Sequence, residues 1–137
     1  MIIGLGSDLV DIRRIEHSLL RFGKRFEDRV FTPSEQEYAR LRPGADIHAV
    51  ASIYAKRFAA KESCAKALGT GLRGIAWRDI EIVRSLNGVP EVRASGGASA
   101  RLQEITPKGM KSQIFVSLSD EYPYAQAHVI ISAVAVL

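Results

Sequence analysis

The longest helical pattern in the chain runs from about Ile47 to Leu68, and it limits the fold more than any other feature. The run is rich in alanine, has no internal proline or glycine, and is stopped by Gly69-Thr70-Gly71. Its apolar stripe is Ile47, Ala51, Tyr54, Phe58, Ala65 and Leu68, which predicts one long amphipathic helix that the other elements must cover. Upstream, residues 1 to 6 are apolar and β-branched with two glycines, as in a short buried strand. Leu9, Ile12, Ile15, Leu19 and Phe22 recur at spacings of three and four, with Asp8 as N-cap and Gly23 as stop. Thr32-Pro33-Ser34-Glu35 opens another short helix that ends before Pro43-Gly44.

Downstream the period shortens to two. Asp79 to Arg84 alternates, Asn87-Gly88 is a strong hairpin turn, and Glu91 to Ala94 is the returning strand. A short helix over Ser95 to Ile105 and strands at about Gln113 to Ser119 and Tyr124 to Val136, joined by a turn containing Pro123, complete the chain. These elements predict an α+β fold over a single domain, residues 1–137, with helices from the N-terminal half packed on an antiparallel sheet from the C-terminal half. The 137 residues suffice for one core, and 47% hydrophobic against 25% charged residues excludes a disordered chain. The apolar run from Val129 to Leu137 is about half of what a spanning helix needs. A start without a basic region or cleavage site, together with one cysteine, Cys64, predicts a cytoplasmic protein without a disulfide. Nineteen Lys and Arg against 15 Asp and Glu, with a pI near 9.5, imply an acidic partner.

Two carboxylates fall in informative places. Stepping along the long helix from Phe58 to Ala65 lands on Glu62, a carboxylate within an apolar stripe. It is either an i,i+4 partner of Lys66 or a group held where the helix leaves the core. Asp8, where the first strand gives way to the first helix, is either an N-cap or a carboxylate placed to meet Glu62 around a divalent ion. Arg57, Lys61 and Lys66 supply cations nearby, and the Gly69-Thr70-Gly71 turn has the backbone character to approach a phosphate. On the first helix, Arg13, Arg14, His17 and Arg21, followed by Lys24 and Arg25, make one face cationic, a dock for an acidic surface. Cys64 reads as a core residue, and His17, His48 and His128 lack metal-ligand spacing.

Taken in order, several strings resemble the bacterial holo-acyl-carrier-protein synthases, the small trimeric group of 4′-phosphopantetheinyl transferases. They are Gly4-Leu5-Gly6-Ser7-Asp8-Leu9-Val10-Asp11-Ile12, Phe31-Thr32 with Glu35 and Tyr38, the run from Arg57 to Gly71, Trp77 with Asp79-Ile80-Glu81-Ile82, Asn87-Gly88 with Pro90, and Ala125-Gln126-Ala127. The resemblance implies transfer of the phosphopantetheine arm of coenzyme A to a serine of an acyl carrier protein, with Mg²⁺ and release of adenosine 3′,5′-bisphosphate, for fatty acid biosynthesis. By the same resemblance Asp8 and Glu62 would hold the metal, Glu62 and Lys66 would be catalytic, and Arg57, Lys61, Lys66, Gly69 and Thr70 would surround the coenzyme A phosphates. The basic first helix would receive the acidic carrier, and a homotrimer would place active sites between subunits.

One departure stands out. Many relatives have a histidine near the coenzyme A nucleotide, after a serine or threonine; here the string is Ser117-Leu118-Ser119-Asp120-Glu121, with Asp120 an acceptor-only anion. Rival readings are a small basic nucleic-acid-binding module, a Mg²⁺-dependent hydrolase of a small polyphosphate, and a purely structural trimer. The first has no use for the Glu62 and Asp8 pattern, the second none for the cationic helix. Neither nucleic acid nor a membrane is an expected partner.

Overall fold

The structure is a computed structural model and describes residues 1–41 and 43–137. The elements follow in the order β1 (Ile2–Asp11), α1 (Ile12–Phe22), α2 (Lys24–Val30), α3 (Pro33–Ala39), α4 (Ile47–Ala67), a 3₁₀ turn (Trp77–Asp79), β2 (Ile80–Arg84), β3 (Pro90–Ala94), α5 (Gly96–Ile105), β4 (Met110–Glu121) and β5 (Tyr124–Ala135). The expected α+β architecture is present. Its main sheet has the order β1-β5-β4 with antiparallel pairing, while β2 and β3 form a separate hairpin. The sheet is therefore completed by an N-terminal strand, a contribution that the division into helical and strand halves did not anticipate.

β1 is ten residues long, not six. Pairing with β5 holds it extended through Asp11, opposite Tyr124, past the point where apolar spacing suggested a helix. The cap moves accordingly: Asp11, not Asp8, accepts from the Arg13 amide at 3.0 Å and starts α1. Gly23 ends α1, yet the chain turns directly into α2, a seven-residue helix that the sequence did not reveal. At α3 the local chemistry acts as expected. Thr32 Oγ1 accepts from the Glu35 amide at 3.3 Å, and Glu35 Oε1 accepts from the Thr32 amide at 2.8 Å.

α4 is the central element, with β1, β5, α1 and the β2 hairpin all packed against it. Burial is consequently not confined to one stripe. Ala51, Tyr54, Ala55, Ala59, Ala60, Cys64 and Ala65 are buried on several faces, and so are Arg57, Lys61 and Ser63. Small residues on both elements let β1 lie directly on the helix. A side chain at Gly4 would run into the backbone carbonyl of Ala67, and one at Gly6 into that of Ser63. Among the described residues no helix is long and apolar enough to cross a membrane.

Candidate active site at the crossing of β1 and α4

The glycine contacts set the geometry of the site. Moving two residues along β1, from Gly4 to Gly6, moves the contact four residues back along α4, from Ala67 to Ser63. The two steps match because two strand residues span about 6.6 Å and four helix residues about 6 Å. Asp8 is the next residue on that face of the strand, so its carboxylate reaches α4 beside the turn that carries Glu62. Lys66 joins them from one turn further on, its Nζ donating to the Ser7 carbonyl at 3.0 Å and to Asp8 Oδ1 at 3.2 Å.

Glu62 is half-buried and has neither a hydrogen bond nor an ion pair among the described residues. The i,i+4 pair with Lys66 does not form, because Lys66 is held by β1. Burial pushes the Glu62 carboxyl above the usual range, the Asp8 charge adds to the effect, and Lys66 and Arg14 oppose it. Two carboxylates with one lysine between them form an anionic site that a cation would stabilise. No group of three or more His, Cys, Asp or Glu side chains suited to a metal occurs among the described residues. A divalent ion on Asp8 and Glu62 would complete its shell from water and substrate oxygens, which is the habit of Mg²⁺.

The model of the 4′-phosphopantetheinyl transferase superfamily matches residues 4–127. A holo-[acyl-carrier-protein] synthase of Phenylobacterium zucineum is 59% identical over 134 residues, covering 97% of this chain and 94% of the relative. The chain belongs to the 4′-phosphopantetheinyl transferase superfamily. Within it the chain is an enzyme of the holo-[acyl-carrier-protein] synthase group. Solved structures agree. The synthase of Neisseria meningitidis superposes with a TM-score of 0.77 at 34% identity, covering 96% of this chain and 99% of that one. The Helicobacter pylori synthase in complex with coenzyme A gives 0.76 at 29% identity, covering 93% and 99%.

Among the residues expected around the coenzyme A phosphates, Lys66, Gly69 and Thr70 lie at the C-terminal end of α4, whereas Arg57 and Lys61 are buried earlier in the helix. Lys61 is completely buried, donating to Glu35 Oε1 at 2.8 Å, to the Ile80 carbonyl at 2.5 Å and to the Trp77 carbonyl at 3.1 Å. Glu35 Oε2 in turn accepts from the Ile82 amide at 2.9 Å. Lys61 is thus a joint between α3, α4 and β2. Arg57 is buried as well, with Tyr38 lying over its guanidinium 4.2 Å from ring centre to carbon. Burial pulls both cations below their ordinary pKa values. The Gly69 amide donates to the Lys66 carbonyl at 3.0 Å and that of Gly71 to the Ala65 carbonyl at 3.1 Å, so both help close the helix end, where Gly69 is exposed. Thr70 remains half-buried beside them, its hydroxyl donating to the Gly71 carbonyl. Arg101 of α5, which the sequence did not single out, donates to the Leu68 carbonyl at 2.8 Å. Only the tertiary fold brings it to this helix terminus.

The cationic face of α1 is less uniform than its spacing suggested. Arg13 is paired with Asp11 at 2.6 Å, and Lys24 with Asp28 at 2.9 Å. Arg14, His17, Arg21 and Arg25 are exposed and form no ion pair among the described residues. Beside them a groove of about 290 Å³ is lined by Ser18, Phe22, Arg25, Phe26 and Arg29. Phe22 was assigned to the core stripe, but it is exposed and forms part of this groove. Phe26 and Arg29 were missed because α2 itself was missed. The face therefore offers an apolar slot with a basic rim.

Proposed function

We propose that the chain transfers the 4′-phosphopantetheine arm of coenzyme A to a serine of apo acyl carrier protein, releasing adenosine 3′,5′-bisphosphate. The observation that carries this reading is Glu62: a half-buried carboxylate without a partner among the described residues, beside Asp8 and one turn from Lys66. Coenzyme A is bound by the Helicobacter pylori relative, and the 59% identical relative is a holo-[acyl-carrier-protein] synthase. Asp8 and Glu62 would hold Mg²⁺, which when bound supplies positive charge against the pyrophosphate. Lys66 Nζ, 3.2 Å from Asp8 Oδ1, neutralises phosphoryl oxygens and the departing adenosine 3′,5′-bisphosphate as the serine oxygen bonds to the β-phosphorus and the bond from that phosphorus to the bridging oxygen breaks. Glu62, the carboxylate of the site that no side chain pairs among the described residues, takes the serine proton. Thr70 stands at the same helix end as Lys66 and is the remaining member of the turn suited to line the phosphate path.

The carrier docks on α1 and α2. Arg14 connects that surface to the site, since its charge is felt at Glu62. Arg21 and Arg25, with His17, offer unpaired donors to acidic carrier side chains, and the Phe22 and Phe26 groove accepts an apolar one. Arg13 and Lys24 assist from the edges, already partly neutralised. That partial neutralisation and the apolar slot favour a protein partner over a nucleic-acid backbone. The outer face of the main sheet supports a homotrimer: Leu5, Ile130 and Phe115 stand in one cross-strand row, and Leu5 and Phe115 are 68% and 54% exposed. The same reading places the reaction in the cytoplasm, in the service of fatty acid biosynthesis.

The test is mass spectrometry of an apo carrier protein incubated with the chain, coenzyme A and Mg²⁺. A gain of about 340 Da on one serine is expected; an unchanged carrier overturns the reaction, and a monomer in sedimentation overturns the trimer.

A further inference from the structure

A second cationic hollow lies along α4, six residues and about 9 Å of helix axis before Glu62. It encloses about 500 Å³, and Tyr38, Ile53, Lys56, Arg84 and Asp120 are among its walls. Three observations concern its charge. Arg84 is fixed at the β2–β3 turn, its Nη1 donating to the Gly88 carbonyl at 2.6 Å, and it makes no ion pair among the described residues. Arg57 lies behind the Tyr38 ring, 99% buried, and its Nε and Nη1 have no hydrogen-bond partner among the described residues. Lys56, mostly buried, has its Nζ 3.5 Å from Asp120 Oδ1. Among the described lining residues Asp120 is the one carboxylate, against Lys56 and Arg84, with Arg57 adding charge from behind.

The hollow thus has an excess of positive charge and one cation already engaged by the protein's own carboxylate. We propose that Asp120 is a specificity-determining residue that competes for Lys56: it occupies the place a phosphate monoester would take and must give way when one binds. A monoester suits the hollow because its two negative charges match Lys56 and Arg84 together. Coenzyme A has a single group of this kind, the 3′-phosphate, and adenosine 3′,5′-bisphosphate retains it. The inference rests on the reading of the chain as a coenzyme A-dependent transferase. It adds that this chain moderates its hold on the nucleotide, and so on the product, through an internal counter-ion.

Calorimetric titration of the full chain in the presence of Mg²⁺ tests it, with adenosine 3′,5′-bisphosphate, coenzyme A and dephospho-coenzyme A as ligands. Asp120→Asn should bind the bisphosphate and coenzyme A roughly two- to fivefold more tightly, the scale of a partly exposed ion pair. It should leave dephospho-coenzyme A unchanged. Lys56→Met should weaken binding of the first two, and in the Lys56→Met background Asp120→Asn should bring no gain. Unchanged or weaker binding by Asp120→Asn overturns the proposal, as does an equal gain for dephospho-coenzyme A or in the Lys56→Met background. Equal thermal midpoints for wild type and Asp120→Asn are expected; a folding defect in Asp120→Asn would instead make Asp120 structural and overturn the assignment. Wild-type protein that binds neither coenzyme A nor the bisphosphate overturns the transferase reading itself, an outcome distinct from all of these.

Discussion

Two lysines five residues apart on α4 meet carboxylates in opposite ways. Lys61 is sealed against Glu35, and every polar atom of that pair has a partner: two carbonyls and a carboxylate for the ammonium, two backbone amides for the carboxylate. Lys66 is exposed, shares itself between Asp8 and a strand carbonyl, and leaves Glu62 alone. Burying an ion pair costs several kcal/mol of desolvation unless its remaining hydrogen bonds are satisfied. The first arrangement meets that condition and fixes α3, α4 and β2 to one another. The second leaves charge unbalanced at an opening, where an incoming cation and phosphate can complete it. Satisfaction of polar atoms, more than the presence of charge, separates a joint from a reactive site on the same helix.

The largest expected effect tests the open pair. Glu62→Gln keeps the shape but loses the charge and the base, and transfer to the carrier should fall by about 10²–10⁴-fold, measured as the initial rate of carrier modification. Its thermal midpoint should be no lower than wild type, because the substitution removes a poorly solvated charge. Wild-type turnover would sink both roles given to Glu62. The closed pair should respond in the opposite sense. Lys61→Ala strands Glu35 in the interior and should cost about 3–5 kcal/mol of stability, read from the denaturant midpoint; a small change would mean the pair is not the joint described here.

A third substitution acts on the distance between strand and helix. Gly6→Ala puts a methyl group against the Ser63 carbonyl, and overpacking of this kind costs about 1–3 kcal/mol. Because β1 carries Asp8, activity should drop by more than the change in folded fraction explains, which parallel rate and unfolding measurements would show. The smallest effect is expected at the surface. Glu16 accepts or shares a proton with His48 Nδ1 at 3.0 Å and raises the imidazole above its ordinary value of 6.5. A group raised on folding adds stability that is complete below the unfolded pKa and is lost as pH rises through the folded one. Wild type should therefore lose a small increment of thermal midpoint above pH 6.5 that His48→Gln does not lose, and identical pH profiles would remove the pair from consideration.

What could be read from the sequence was mostly what local chemistry decides. The long helix, the capping box at Thr32, the hairpin at Asn87-Gly88 and the helix after Ser95 depend on neighbours a few residues away, and all are present. The length of β1 was not legible, since the spacing of Leu9, Ile12 and Ile15 suits a helix and the strand that keeps Leu9 extended lies more than a hundred residues on. At the site, Asp8, Glu62 and Lys66 were identifiable by type and spacing, and the fold brings them together. The burial of Lys61 and Arg57 was not legible, because stripe reasoning assumes a helix with one wet face. α4 is covered on several sides, so a cation off the stripe is still interior.

β1 also lies at the edge of the main sheet, bonded to β5 on one side only. An edge strand is held by ladder hydrogen bonds on one side alone. Asp8 and the Ser7 carbonyl, both anchors of Lys66, leave together whenever this strand peels away. The two groups that hold Lys66 therefore share the fate of a single strand, and the integrity of the site is tied to one hem of the sheet.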